Sequence, residues 1–182
     1  ILYEEFKQGN PIQLSKEEII ENLLKSGLWP FVRQRPYSII ANPADQPKAI
    51  YISGFDTAPL APDFDFILKA EEKNLQSGID ALSKLTEGKI YLNLKSENSE
   101  SVFSKLKNVD INYFSGPHPA GNVGIQIHHL NPINKGEVVW YINPQELAMI
   151  GRLFVNGKLD AKKTVALVGS EVKKPQYFET MR

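Results

Sequence analysis

The sequence predicts an α/β domain: a mostly parallel sheet of about five strands with helices on both faces. Three observations carry this. Short β-branched runs alternate along the chain with stretches whose apolar residues recur at helical spacing. Such alternation builds parallel sheets, whose doubly buried strands read as near-continuous apolar runs. Finally, 182 residues at 42% hydrophobic and 23% charged suffice for one globular domain with its own core, and are too few for two of ordinary size.

The first helix begins at Ser15. In Ser15-Lys16-Glu17-Glu18 the serine side chain can accept from the Glu18 amide while Glu18 reaches back, a capping box. Leu14 and Ile19 stand where a hydrophobic staple closes, Ile19, Ile20, Leu23 and Leu24 make one apolar face, and Gly27 marks the stop. Leu28 to Pro36 holds two prolines in seven residues, Pro30 and Pro36, which deny it a helix or a central strand. It reads as an ordered loop or edge segment. Ala49 to Gly54 is the first buried strand, and a Pro- and Asp-rich loop follows from Phe55 to about Asp65. Ile67, Leu68, Leu75, Ile79, Leu82 and Leu85 predict one long helix that stops at Gly88. Lys89–Leu94 is the second strand, a short helix carries Val102, Phe103 and Leu106, and Asp110–Phe114 is the third strand. Val138–Ile142 is the fourth. Asn143 then caps a helix with Pro144 and Glu146 in its first turn; Leu147, Ile150, Leu153 and Phe154 face inward, and Asn156-Gly157 ends it. Thr164–Gly169 reads as the fifth strand of the sheet, and Ser170 onward as a polar exit linker.

Composition excludes several chemistries. Without cysteine there is no thiolate nucleophile, Cys-ligated zinc, iron–sulfur cluster or disulfide in the chain. Twenty-one basic and 21 acidic residues give zero net charge, against a dedicated nucleic-acid binder. No run of ~18 apolar residues exists to span a bilayer. The chain opens on Ile1-Leu2-Tyr3-Glu4 with no initiator Met, which reads as a domain cut from a longer protein.

Ligands in open α/β sheets bind beyond the carboxyl ends of the strands, near a switch in strand order. The loops after Ser53, Leu94, Phe114 and Ile142 are therefore the candidates. Ser115 to Gly124 is the richest. Its three glycines, Gly116, Gly121 and Gly124, let backbone approach a ligand, and all 3 histidines, His118, His128 and His129, lie in or just after it. A ligand pocket with a titratable wall and a tight turn with ordinary histidines both fit this segment. No metal-ligand spacing, Gly-x-Ser-x-Gly elbow, Gly-x-Gly-x-x-Gly signature or phosphate loop is present. Asp56, Asp63 and Asp65 read as solvated residues and helix caps rather than a Mg²⁺ cluster. Trp29 and Phe31, with Arg33 and Arg35, could stack on a flat ring or another subunit, or pack inward with the arginines in water.

The string Gly116-Pro117-His118-Pro119-Ala120-Gly121-Asn122-Val123-Gly124-Ile125-Gln126-Ile127-His128-His129 resembles the A subunit of the bacterial sodium-translocating NADH:quinone reductases. So do Gly27 to Pro36 and Gly136-Glu137-Val138-Val139-Trp140. The resemblance runs from about Leu14 to the C-terminus. It implies a peripheral subunit on the cytoplasmic face of an inner-membrane complex, with sister subunits as partners and ubiquinone or menaquinone as a candidate ligand. A lipoyl-like domain would precede this segment and further domains follow it. It also implies a Rossmann-like fold similar to the flavin-binding subunit of complex I and its Rnf counterpart, where a glycine-rich loop after the first helix holds FMN and NADH docks against it. Here that position reads Trp29-Pro30-Phe31-Val32-Arg33-Gln34-Arg35-Pro36, without glycine. The expectation is a fold without its own cofactor, serving assembly, quinone access or both. An FMN/NADH-binding flavoenzyme domain and a small-anion-binding module are the alternatives. The domain is expected over 15–170, between a lead-in at 1–14 and an exit linker at 171–182. The candidate ligand residues are Trp29, Phe31, Arg33, Arg35, Gly116, His118, Gly121, Asn122, Gly124 and His128; no catalytic or metal-binding residue is assigned.

Overall fold

A computed structural model describes residues 5–95 and 101–180. The elements follow in chain order as α1 (Lys16–Lys25), β1 (Arg33–Arg35), β2 (Ile39–Ile40), β3 (Ala49–Ser53), α2 (Phe64–Leu68), α3 (Glu72–Ser83), β4 (Lys89–Leu94), β5 (Asp110–Tyr113), α4 (Val123–Leu130), β6 (Val139–Ile142), α5 (Pro144–Asn156), β7 (Thr164–Leu167) and β8 (Gln176–Glu179). Short 3-10 turns lie at Pro11–Gln13, Trp29–Phe31 and Val102–Lys105. The expected α/β architecture is present: a six-stranded sheet of order β2-β1-β6-β3-β4-β5, with β6, β3, β4 and β5 parallel.

Local signals set the helix ends. Ser15 accepts from the Glu18 amide at 3.2 Å, and the Glu18 carboxylate accepts from the Ser15 amide at 2.9 Å. Asn143 caps α5 at the Gln145 amide, with Pro144 in the first turn. Gly27 (φ 74°) and Gly157 (φ 65°) supply the left-handed residues that end α1 and α5.

The period of two along the strands divides the core. Ile50, Ile52, Ile90, Leu92, Trp140 and Ile142 face one side, under Ile19 and Leu23 of α1, Leu75, Ile79 and Leu82 of α3, and Leu147, Ile150, Leu153 and Phe154 of α5. Ala49, Tyr51 and Val139 face the other, covered by Ile127 of α4 with Tyr91, Val123, Leu130 and Tyr141 around them. Tyr51 stacks on Tyr91 with centroids 4.9 Å apart. The Tyr51 hydroxyl is buried with no hydrogen-bond partner among the described residues, and its burial, with Tyr91 beside it, pushes its pKa from 10.0 up to about 12. Tyr51→Phe is therefore expected to stabilise the protein by about 1 kcal/mol at neutral pH, read from urea unfolding. The folded tyrosine keeps its proton to higher pH than the unfolded one. Wild-type stability thus declines as pH rises from 10 towards 12, and the variant lacks that decline.

Several elements differ from expectation. The fifth predicted strand, β7, does not join the sheet; it pairs antiparallel with β8 in a separate two-stranded ribbon. β8 lies inside the stretch expected to be an exit linker, and in the expected lead-in the Phe6 and Gly9 amides donate to the Gly157 and Phe154 carbonyls. Arg33–Arg35 is no edge segment. It is an antiparallel strand between β2 and β6, possible because Pro30 and Pro36 flank it rather than interrupt its ladder. The long predicted helix is two, α2 and α3, with the corner held by the Glu71 carboxylate, which accepts from Arg152 (3.1 Å) and Asn74 (2.6 Å). Leu24, expected inward, is half exposed, while Asn22 of the same helix is buried with its amide on the Lys7 carbonyl. The segment Ser115–Asn134 contains α4, capped by Asn122 at the Gly124 amide.

Candidate functional site

From β3 the chain proceeds to β4 on one side, while β6 lies on the other. The switch point therefore falls between the carboxyl ends of β3 and β6, at Ser53 and Asn143. A cleft of about 170 Å³ opens there, lined by residues that include Phe31, Arg33, Phe55, Phe64, Tyr141 and Asn143. Four separate stretches supply its aromatic rings: the 3-10 turn before β1, the loop after β3, α2, and β6.

Its polar rim is partly committed. Arg33 donates through Nη2 to the Ser38 carbonyl, and the Ser38 and Tyr141 hydroxyls are hydrogen-bonded at 2.7 Å. The Arg35 guanidinium lies over the Tyr141 ring, 5.1 Å from its centroid, and its Nε is buried without a partner among the described residues. Asn143 spends its side-chain oxygen on the Gln145 amide at 3.0 Å, and its NH₂ group has no protein partner among the described residues. The arrangement is a small cleft that brings four aromatic residues together with an amide donor, the Arg33 guanidinium and the Asp56 and Glu146 carboxylates.

The floor is a buried polar network. Gln126 of α4 is fully buried; its Nε2 donates to Ser53 Oγ (2.9 Å) and to the Ala120 carbonyl (3.2 Å), and its Oε1 accepts from Asn93 Nδ2 (2.9 Å). The Ser53 hydroxyl has the Phe55 carbonyl at 2.9 Å and the Gly121 carbonyl at 3.2 Å as acceptors. The Gly121 amide donates to Thr57 Oγ1 at 2.9 Å, and a Cβ on Gly121 would lie 2.5 Å from the Thr57 nitrogen. The glycine loop is thus clamped onto the loop after β3. Only glycine allows that approach.

The structure separates the residues that the sequence grouped together. Phe31, Arg33 and Gly121 line the cleft. Arg35 and Gly124 lie beside it: a Cβ on Gly124 would stand 3.8 Å from Arg35 Nη2. Trp29 is 2% exposed; its indole donates to the Ala41 carbonyl at 2.8 Å and its ring meets Trp140 edge-on at 5.6 Å, so it is core and not a ligand wall. Gly116, His118, Asn122 and His128 are exposed outside the cleft. His118 Nδ1 is 3.2 Å from Thr57 Oγ1, Asn122 serves as a helix cap, and His128 packs edge-on against His129. Asp63 caps α2, Asp56 bonds the Ala58 amide and Asp65 holds Ser101, so these acids serve as turn and cap residues, and Asp56 also lines the cleft. Phe55, Phe64, Tyr141 and Asn143 were not grouped by the sequence, although the position rule pointed to the loops after Ser53 and Ile142. Residues 96–100 of the loop after Leu94 lie outside the described residues.

Sheet order and connections define a Rossmann-like α/β module with a cleft at its switch point. The chain belongs to the family described as the NqrA second alpha/beta domain, whose model matches residues 14–159. It is similar to the A subunit of the Na(+)-translocating NADH-quinone reductase of Pasteurella multocida, 36% identical over 181 residues. That match takes in 100% of this chain and 40% of the relative. The corresponding subunits of Neisseria gonorrhoeae (40% identical, 93% of this chain, 38% of theirs) and Neisseria meningitidis serogroup B (38%, 100%, 40%) are similar too. The chain thus spans about two fifths of the length of the curated relatives it matches. Among the described residues no helix is long and apolar enough to cross a membrane.

Proposed function

We propose that this chain serves as a domain of the NqrA subunit in a sodium-translocating NADH:quinone reductase, docking a quinone ring in the switch-point cleft without carrying out chemistry alone. The observation that carries the reading is the meeting of Phe31, Phe55, Phe64 and Tyr141 in one cleft, with Arg33 and an Asn143 amide that has no partner among the described residues as donors and Asp56 and Glu146 also in the lining. Aromatic walls match a planar ring, and one or two donors suffice for its carbonyl oxygens. Electrons would come from outside this domain, since these 182 residues have no cysteine for a cluster. The protein would sit peripherally on the cytoplasmic face of the membrane.

A flavin fits less well. The segment that would cradle its phosphate carries Trp29, buried and hydrogen-bonded, and Val32, fully buried and bonded through its amide to the Trp29 carbonyl. The glycine loop after β5 is filled by Asp56 and Thr57. Neither presents a run of free amides to a phosphate.

In the assembled complex, Phe31→Ala is expected to raise KM for quinone about five- to tenfold, matching the loss of one aromatic contact, while NADH oxidation by an artificial acceptor stays unchanged. Unchanged KM with normal assembly would overturn the reading.

A further inference from the structure

A second cavity, of about 910 Å³, shares no lining residue with the switch-point cleft. One stripe of α3 forms part of its wall. Lys73, Gln76, Ser77 and Asp80 recur at i, i+3, i+4 and i+7, so they stand on one helix face. Leu75, Ile79 and Leu82 take the face towards the sheet, and Gly78 meets α5. The segment before α1 closes another side: Gln8 Nε2 donates to the Val155 carbonyl and the Gly9 amide to the Phe154 carbonyl. Gln76 fixes a third by accepting from the Lys107 amide (2.8 Å) and donating to the Lys107 carbonyl (3.3 Å). The deepest lining residues carry polar groups that the fold leaves unused. Ser77 is 8% exposed, and its hydroxyl has no partner among the described residues. Asp80 is 9% exposed; its Oδ1 accepts from Gln76 (2.9 Å) and Asn108 (3.4 Å), while Oδ2 has no hydrogen-bond or cationic partner among the described residues. Groups held this deep cost free energy unless something bonds them. Buried Leu106 and Phe154 line the same cavity. Its exposed lining is cationic: Lys69, Lys73, Lys105 and Lys107, against the one exposed acid Glu72, which lies 3.6 Å from Lys105. Lys73 and Lys107 have no carboxylate partner among the described residues. The chain as a whole has zero net charge, so this is a local concentration.

We propose that this cavity binds an adenine nucleotide, with the base at Ser77 and Asp80 and the phosphates at the lysines. Lysine ammonium groups meet phosphate oxygens as point charges. The Asp80 Oδ2 needs an N–H donor, and the Ser77 hydroxyl can donate to a ring nitrogen. Adenine offers that pair on one edge, an amino group beside an acceptor nitrogen. Ser77 and Asp80, three residues apart on α3, are neighbours on its surface and can meet both. A bare phosphate would satisfy the lysines and leave the two deep groups unpaired. The volume falls within the range of about 300–1,000 Å³ that small-molecule sites occupy, which favours a compact ligand over an extended peptide. The site binds and performs no chemistry. It is independent of the quinone reading, because the two sites have no residue in common.

The test is a calorimetric titration of ADP into the full-length protein purified without its sister subunits. The expected result is saturable binding at one site. The double variant Lys73→Glu/Lys107→Glu alters two exposed side chains, so it keeps the fold, and it should weaken ADP at least tenfold. A control at another exposed lysine, Lys135→Glu, should leave binding unchanged. Asp80→Asn puts a donor where the base needs an acceptor and should weaken ADP at least fivefold. Inorganic pyrophosphate should bind wild type at least tenfold more weakly than ADP and be indifferent to Asp80→Asn. Absence of ADP binding to wild type, or binding that the lysine pair does not affect, would overturn the proposal. Pyrophosphate binding as tight as ADP, with Asp80→Asn without effect on either, would overturn it in favour of a bare anion site. Sedimentation with phosphatidylglycerol vesicles that the lysine variant abolishes, without ADP binding, would overturn it in favour of a lipid surface.

Discussion

Gly151→Ala should destabilise the protein by about 2–3 kcal/mol, seen as a lower urea midpoint at unchanged slope. In an exposed helix this change stabilises by up to ~1 kcal/mol, because alanine is the better helix former. Here the sign reverses. Gly151 of α5 lies against the Asn74 carbonyl of α3, and an added methyl would overlap that oxygen. The neighbour is helix backbone, which cannot rotate away as a side chain can. The contact is reciprocated nearby, where a Cβ on Gly78 of α3 would stand 2.5 Å from the Leu147 carbonyl of α5. Two glycines, one per helix, thus set the separation at which α3 and α5 lay Leu75, Ile79, Leu147 and Ile150 onto the sheet. Spreading them opens the main core, and close-packed interiors tolerate little of that.

Gln126→Leu should cost about 3 kcal/mol, though leucine is apolar, similar in size and suited to a fully buried position. The leucine would leave the fully buried Asn93 amide without its 2.9 Å partner and the part-buried Ala120 carbonyl without its 3.2 Å one. Orphaned buried polar groups cost more than the mean value of the bonds they lose. Asn112→Ala is the matched comparison. Asn112 reaches Asn93 at 3.4 Å, is only half-buried, and should lose under about 1 kcal/mol. The glutamine also ties α4 to Ser53 at the cleft, so the same substitution should raise quinone KM in the assembled complex. On the proposed quinone reading, stability and ligand binding thus meet at one residue.

What the sequence revealed was whatever is decided locally. The Ser15 box and the Asn143-Pro144 cap depend on side chains two or three positions away, so both helices begin where their signals stand. The parallel strands were legible because burial on both faces leaves a continuous apolar run such as Ala49-Ile50-Tyr51-Ile52. α4 had a signal as well: Val123, Ile127 and Leu130 after the cap Asn122. Gly121, Gly124 and the two histidines obscured it. Which sheet a strand joins is not local, so β7 looked like a fifth strand of the main sheet. The cleft was hardest. Its rings come from four stretches that only the pairing of β6 with β3 and β1 assembles, whereas Trp29 and His128 drew attention by residue type. Tertiary packing then placed Trp29 in the core beside Trp140 and left His128 on the outer surface of α4.

Photolabelling tests the location of the quinone most directly. The intact reductase complex would be illuminated with an azido-quinone and its labelled peptides mapped by mass spectrometry. The expected result is label on this domain within Phe31–Arg33, Phe55–Phe64 or Tyr141–Asn143, reduced by excess unlabelled quinone. Competable label confined to other subunits, or on this domain only around His118 and His128, would contradict quinone docking in the switch-point cleft.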